Sequence, residues 1–147
     1  MRARDVMSNP VISVRPHVPA RAAAALLVSH GFTAAPVVDA EGRVHGIATE
    51  ADLMRGRIAP EGALVEYEPE PLVSDVMSRA VGMPPDADLA DVVASMLETG
   101  ARSIPIIDRG RLVGIVTRRD VLRVVANGEL TTDDVRRRRH SERTTAG

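Results

Sequence analysis

The stretch GIVTRRD, residues 114–120, decides how this chain is read, because a second version, GIATEAD, stands at residues 46–52. Each has a glycine, two apolar or small residues, a threonine, and an aspartate three positions beyond it. A threonine that follows an apolar run and precedes a helical pattern is a natural N-cap. An acid three residues on completes a capping box and favours the positive end of the helix. The same geometry suits a ligand: free N–H groups at a helix start attract phosphate, and a carboxylate one turn in can accept both hydroxyls of a ribose. The motif by itself leaves both readings open.

Working outward, the two stretches are parts of an internal repeat. DVMS occurs at 5–8 and again at 75–78, a spacing of 70. Gly31 and Gly100 correspond, as do Pro36 and Pro105, at a spacing of 69, and Gly46–Gly114 and Asp52–Asp120 at a spacing of 68. Two single-residue deletions account for the drift, and one is visible where DAEGR (39–43) becomes DRGR (108–111). We call the repeats copy one and copy two.

Each copy reads as a β-α-β-β-α unit, preceded by a short helical turn at DVM. VISV (11–14) and AVGM (80–83) are strand-like. A helix is expected from about Ala20 to His30, closed by Gly31. In copy two Leu89, Val92, Val93, Met96 and Leu97 form one apolar face, with Asp86 or Asp88 as cap and Gly100 as terminator. AAPVVD with RVHGIA, and SIPIID with RLVGIV, read as hairpins around AEG and RG. Last helices are expected from about Thr49 to Arg55 and from Thr117 to Ala126. The fold class is therefore α+β: two β-α-β-β-α repeats, each too small to be comfortable alone and expected to pack pseudo-symmetrically as one pair. The domain reading is copy one at 1–58, a linker at 59–72, copy two at 73–128 and a charged tail at 129–147.

Composition narrows the chemistry. The 147 residues contain no cysteine, which removes disulfides and thiolate chemistry, and all 19 basic residues are arginine, which removes lysine-based chemistry. Aromatics are confined to Phe32 and Tyr67, so Val, Ile, Leu, Ala and Met must build the core. No apolar run approaches the roughly 20 residues of a membrane span, and the start has no secretory apolar core. A cytoplasmic protein that does not engage membranes is expected. His17, His30, His45 and His140 show no metal-ligand spacing, so no metal site is expected. No nucleotide-loop or nucleophile-elbow pattern occurs, and no catalytic residue set emerges; an enzyme is not expected. The arginines at 136–139 follow acids and lack interleaved aromatics, so nucleic acid is not the expected partner.

The repeat resembles the cystathionine β-synthase (CBS) domain, and the pair resembles a tandem CBS (Bateman) module. The resemblance rests on DVMS, on HGFTAAPVVDAEGRVHGIATEADLM and on TGARSIPIIDRGRLVGIVTRRDVL, covering residues 3–126 or so. It implies a stand-alone regulatory module, a homodimer shaped as a flat disc. Such a module binds AMP, ADP, ATP or S-adenosylmethionine in clefts between repeats, with no obligatory cofactor, and signals to a separate effector protein. Carried over, one cleft would pair Thr117 and Asp120 with Ile12, Ser13, Ala34 and Ala35. The other would pair Thr49 and Asp52 with Gly82, Met83, Ser103 and Ile104. The residues themselves add an asymmetry. Copy two offers Arg102, Arg118 and Arg119 where copy one has Thr33, Glu50 and Ala51, so phosphate is expected at the Thr117–Asp120 start. A ligand-free interaction module is the alternative reading.

Overall fold

The computed structural model describes residues 1–8, 11–55, 70–130 and 135. The expected linker, apart from its last residues, and the arginines at 136–139 lie outside them. In chain order the elements are α1 (Ala3–Val6), α2 (Ala20–His30), β1 (Ala34–Val38), β2 (Val44–Thr49), α3 (Glu50–Arg55), α4 (Val73–Val76), α5 (Leu89–Thr99), β3 (Ser103–Asp108), β4 (Arg111–Thr117) and α6 (Arg118–Ala126). They fall into two compact units. The α2 unit takes described residues of Ile12–Ala80 and Gly110–Leu112; the α5 unit takes those of Met1–Val11, Val81–Arg109 and Val113–Gly147. The spatial units therefore cut across the sequence repeats, since the first DVMS belongs with copy two.

In the α2 unit, β1 and β2 form an antiparallel pair with Ala34 opposite Thr49, Ala35 opposite Ala48 and Val37 opposite Gly46. A bulge at Val37/Val38 absorbs the longer turn. There Asp39 accepts from the N–H of Glu41 (2.9 Å) and Arg43 (3.0 Å), and Gly42 takes φ +80°, the left-handed region that glycine enters without a Cβ penalty. In copy two the turn is one residue shorter, with Arg109 (φ 53°) and Gly110 (φ 82°) both left-handed, as a two-residue hairpin requires. The deletion seen in the sequence is this change of turn type.

The strand-like pieces differ from expectation. Val14 alone bridges Val37, and Met83 alone bridges Ile106, both in parallel. The chain turns away at once because proline follows, at Pro16 and at Pro84 and Pro85, and proline has no N–H to extend a ladder. On the other edge of each sheet, Ser78 bridges Ile47 and Ser8 bridges Ile115. Each unit is thus a hairpin flanked by two single-residue pairings.

The helices follow their sequence signals. Asp88 caps α5, its Oδ1 accepting from Ala90 N–H at 2.9 Å, and Gly100 closes it with φ +74° and an N–H bond to Met96 O. Helix α2 has no side-chain cap, since Pro19 stands at that position, but its alanines favour helix and Gly31 closes it. The α5 unit buries Leu89, Val92, Val93, Met96, Ile104, Ile106 and Val116. The α2 unit is leaner, with Ala20, Ala23, Ala35 and Ala48 among its buried residues. Leu97, expected on the apolar face of α5, is 64% exposed, and its counterpart Val28 is 82% exposed. Both lie in a last helical turn, where the stripe has outrun the core.

Candidate functional site

The glycine that opens each motif is where a second segment of chain passes close. A Cβ on Gly46 would stand 2.7 Å from Ser78 O and 2.9 Å from Met77 Sδ; on Gly114 it would stand 2.8 Å from Met7 Cγ. So DVMS packs directly on the strand that leads to Thr49 or Thr117. Its aspartate caps the short helix itself: Asp5 accepts from Arg2 N–H at 2.7 Å, and Asp75 from Leu72 N–H at 2.9 Å.

At the start of α6, Thr117 is the N-cap. Its hydroxyl accepts from Asp120 N–H at 3.3 Å and lies 3.0 Å from Asp120 Oδ2, which also accepts from Thr117 N–H at 2.9 Å. The capping box expected from the sequence is complete. Asp120 is 5% exposed. Its other oxygen, Oδ1, has the Arg123 guanidinium at 3.6 Å, beyond hydrogen-bond range, and no closer partner among the described residues. Arg118 anchors the helix start by donating its backbone N–H to Arg102 O (3.1 Å) and its guanidinium to Gly100 O (3.2 Å). That second bond sets a cation against the carbonyl end of α5. Arg119 is exposed on the first turn.

The start of α3 has the same backbone arrangement with different side-chain company. Thr49 N–H donates to Asp52 Oδ2 at 3.0 Å, and Asp52 N–H to the Thr49 hydroxyl at 3.2 Å. Asp52 is 1% exposed, and its Oδ1 accepts from the Ser78 hydroxyl at 2.8 Å and from Arg55 at 2.5 Å. Burial alone would raise this carboxyl. The Thr49 N–H, the Ser78 and Thr49 hydroxyls and the Arg55 charge outweigh it, and the group is held below the usual carboxylate range.

The remaining candidates sit as follows. Ile12, Ser13 and Ala34 are half-buried and Ala35 is buried, all in the α2 unit, where Ala34 faces Thr49 across the strands. Met83 is half-buried, Ser103 and Ile104 are buried, and Gly82 and Arg102 are exposed, all in the α5 unit. A Cβ on Gly82 would meet Ile107 and stand 3.2 Å from Pro105 O. Thr117 and Asp120 belong to the α5 unit, and Thr49 and Asp52 to the α2 unit. Sequence reasoning missed Ser78 and Arg55. The serine was visible only as a repeat marker, 26 residues from its partner. The arginine could have been found, since an Asp-x-x-Arg spacing occurs in both copies, at Asp52–Arg55 and Asp120–Arg123.

What the motif offers chemically is an acceptor for hydroxyls and N–H groups for an anion. Among the described residues no cluster of three or more His, Cys, Asp or Glu side chains could hold a metal ion, and no helix is long and apolar enough to cross a membrane.

Comparisons with known proteins bear on this geometry. The family described as CBS domain matches residues 3–58 and 73–127. The A-adding tRNA nucleotidyltransferase of Aquifex aeolicus is 30% identical over 126 residues; the match covers 85% of this chain but only 14% of that protein. Among solved structures, CBSX2 in complex with AMP has a TM-score of 0.77 at 26% identity, over 88% of this chain and 98% of that one. The CBS domain pair of protein MJ0100, in complex with 5′-methylthioadenosine and S-adenosyl-L-methionine, has a TM-score of 0.72 at 25% identity, over 87% of this chain and 98% of that one.

Proposed function

The chain belongs to the CBS-domain family, and on that premise we propose that it is a regulatory module, not an enzyme, that binds an adenosine-containing ligand at the start of α6. The observation that carries this reading is the Asp120 carboxylate. One oxygen is fixed by Thr117, and the other, Oδ1, keeps acceptor capacity for ribose hydroxyls. Arg119 on the first turn of α6, with the helix N-terminus, favours a phosphate there. The AMP, methylthioadenosine and S-adenosylmethionine held by the structurally similar proteins support the ligand class. The ligand acts by binding one arrangement of the module more tightly than another, and a separate effector protein in the cytoplasm reads the difference.

We also propose a homodimer. Val28 and Leu97 occupy equivalent places in the two repeats, and so do Met54 and Leu122, which are 61% and 64% exposed. Apolar side chains left out of the core at the same place in both copies favour an interaction face.

The test is thermal melting with AMP, ADP, ATP and S-adenosylmethionine at millimolar concentration. A ligand present at 100 times its dissociation constant stabilises by about 2.7 kcal/mol, which raises Tm by roughly 5–10 °C for a chain of this length. Calorimetry should show Asp120→Asn weakening the effective ligand tenfold or more. No shift with any of the four, or unchanged affinity in Asp120→Asn, overturns the reading.

A further inference from the structure

We infer that the Thr49–Asp52 motif of copy one has become a clasp for the second DVMS segment, so that the chain takes one adenosine ligand, not two. This rests on the reading just given. The two motifs share their backbone geometry, and the serines of the two DVMS segments sit at equivalent places. Ser78 exchanges N–H···O bonds with Ile47 at 2.9 Å each way, and Ser8 with Ile115 at 2.9 and 3.3 Å. The serine side chains differ. Ser78 donates to Asp52 Oδ1 at 2.8 Å, while the Ser8 hydroxyl makes no bond to Asp120.

With Arg55 on the same Oδ1 and Thr49 on Oδ2, the Asp52 carboxylate is committed on both oxygens and buried. A ribose hydroxyl arriving there would have to displace the Ser78 hydroxyl or the guanidinium, and each lost charge-assisted bond opposes binding. Glu50 on the first turn of α3, where copy two has Arg118, adds repulsion toward a phosphate. Ser78 and Arg55 therefore decide which copy binds ligand, by occupying the acceptor that copy two leaves open.

Two measurements on the full chain test this. Calorimetric titration with AMP, and separately with S-adenosylmethionine, is expected to give one equivalent per chain, with affinity changed less than threefold in Asp52→Asn and Ser78→Ala. Melting without ligand is expected to drop by several degrees in Ser78→Ala and by less than a degree in Ser8→Ala. Two equivalents of comparable affinity, a tenfold loss in Asp52→Asn, or equal melting losses in the two serine variants would overturn the clasp. If AMP, ADP, ATP and S-adenosylmethionine all fail to bind the unmodified chain, the proposed function fails and the serine pair alone judges the clasp.

Discussion

Replacing Gly46 by alanine tests the close approach of DVMS to the motif strand. Gly46 has no positive φ, so alanine fits its backbone, and the stiffer unfolded chain would by itself add about 0.4–1 kcal/mol of stability. Against this, the new Cβ meets Ser78 O at 2.7 Å and Met77 Sδ at 2.9 Å. Reaching ordinary contact requires Ser78 to retreat by roughly 0.5 Å or more. The Ile47 N–H bond to Ser78 O, now 2.9 Å, would then lie at or beyond the edge of hydrogen-bond range. One weakened backbone bond costs about 1 kcal/mol, and overpacking costs about 1–3 kcal/mol. The net expectation is a loss of about 1.5–3 kcal/mol.

Gly114→Ala is the internal control. There the three nearest atoms all belong to the side chain of Met7, an unbranched thioether that can move aside, so the change should stay within about 1 kcal/mol. Urea denaturation at unchanged m-value measures both variants, and amide exchange at Ile47 reports the local loss. Equal destabilisation of the two variants, or a greater loss in Gly114→Ala, would refute the reasoning.

Two further outcomes are expected. The His45 ring, 2.9 Å from Asp39 Oδ2, and then the Arg43 and Glu41 N–H groups hold the Asp39 carboxyl at about 2. Because the folded value lies below the ordinary one, the stability it contributes is present above about pH 4 and is lost as pH falls toward 2. Melting temperatures of Asp39→Asn across that window should fall less steeply than those of the unmodified chain; a parallel fall would count against the pair. Asp88→Ala removes the only side-chain cap of α5 and should cost about 0.5–2 kcal/mol by chemical denaturation.

Much of this was legible because the decisive signals are local. Asp88 and Gly100 bound α5, Thr117 starts α6, and the missing residue in DRGR marks the shorter turn. What the sequence hid depends on distance or on extent. Apolar run and β-branching suggested strands at 11–14 and 80–83, but the prolines that follow leave one bridging residue in each. Periodicity gave the direction of the α5 stripe without saying where the core ends, so Leu97 looked buried. The site divides the same way. Thr117 with Asp120, and Thr49 with Asp52, are neighbours in sequence, whereas the Ser78 bond that separates the two motifs in character joins residues 26 positions apart.

The pairing of the first few residues with copy two bears on the order in which the chain can fold. Ala3 N–H bonds to Ala87 O, and Leu89 N–H to Met1 O. Those amino-terminal residues leave the ribosome long before their partners exist and must wait, uncovered, through the synthesis of the intervening chain. The α2 hairpin can form early, but α1 finds its place only once α5 has emerged. Long loop closure of this kind slows folding more than it costs stability. Removing the first eight residues should therefore damage the distant copy of the repeat and largely spare the one that follows them in sequence.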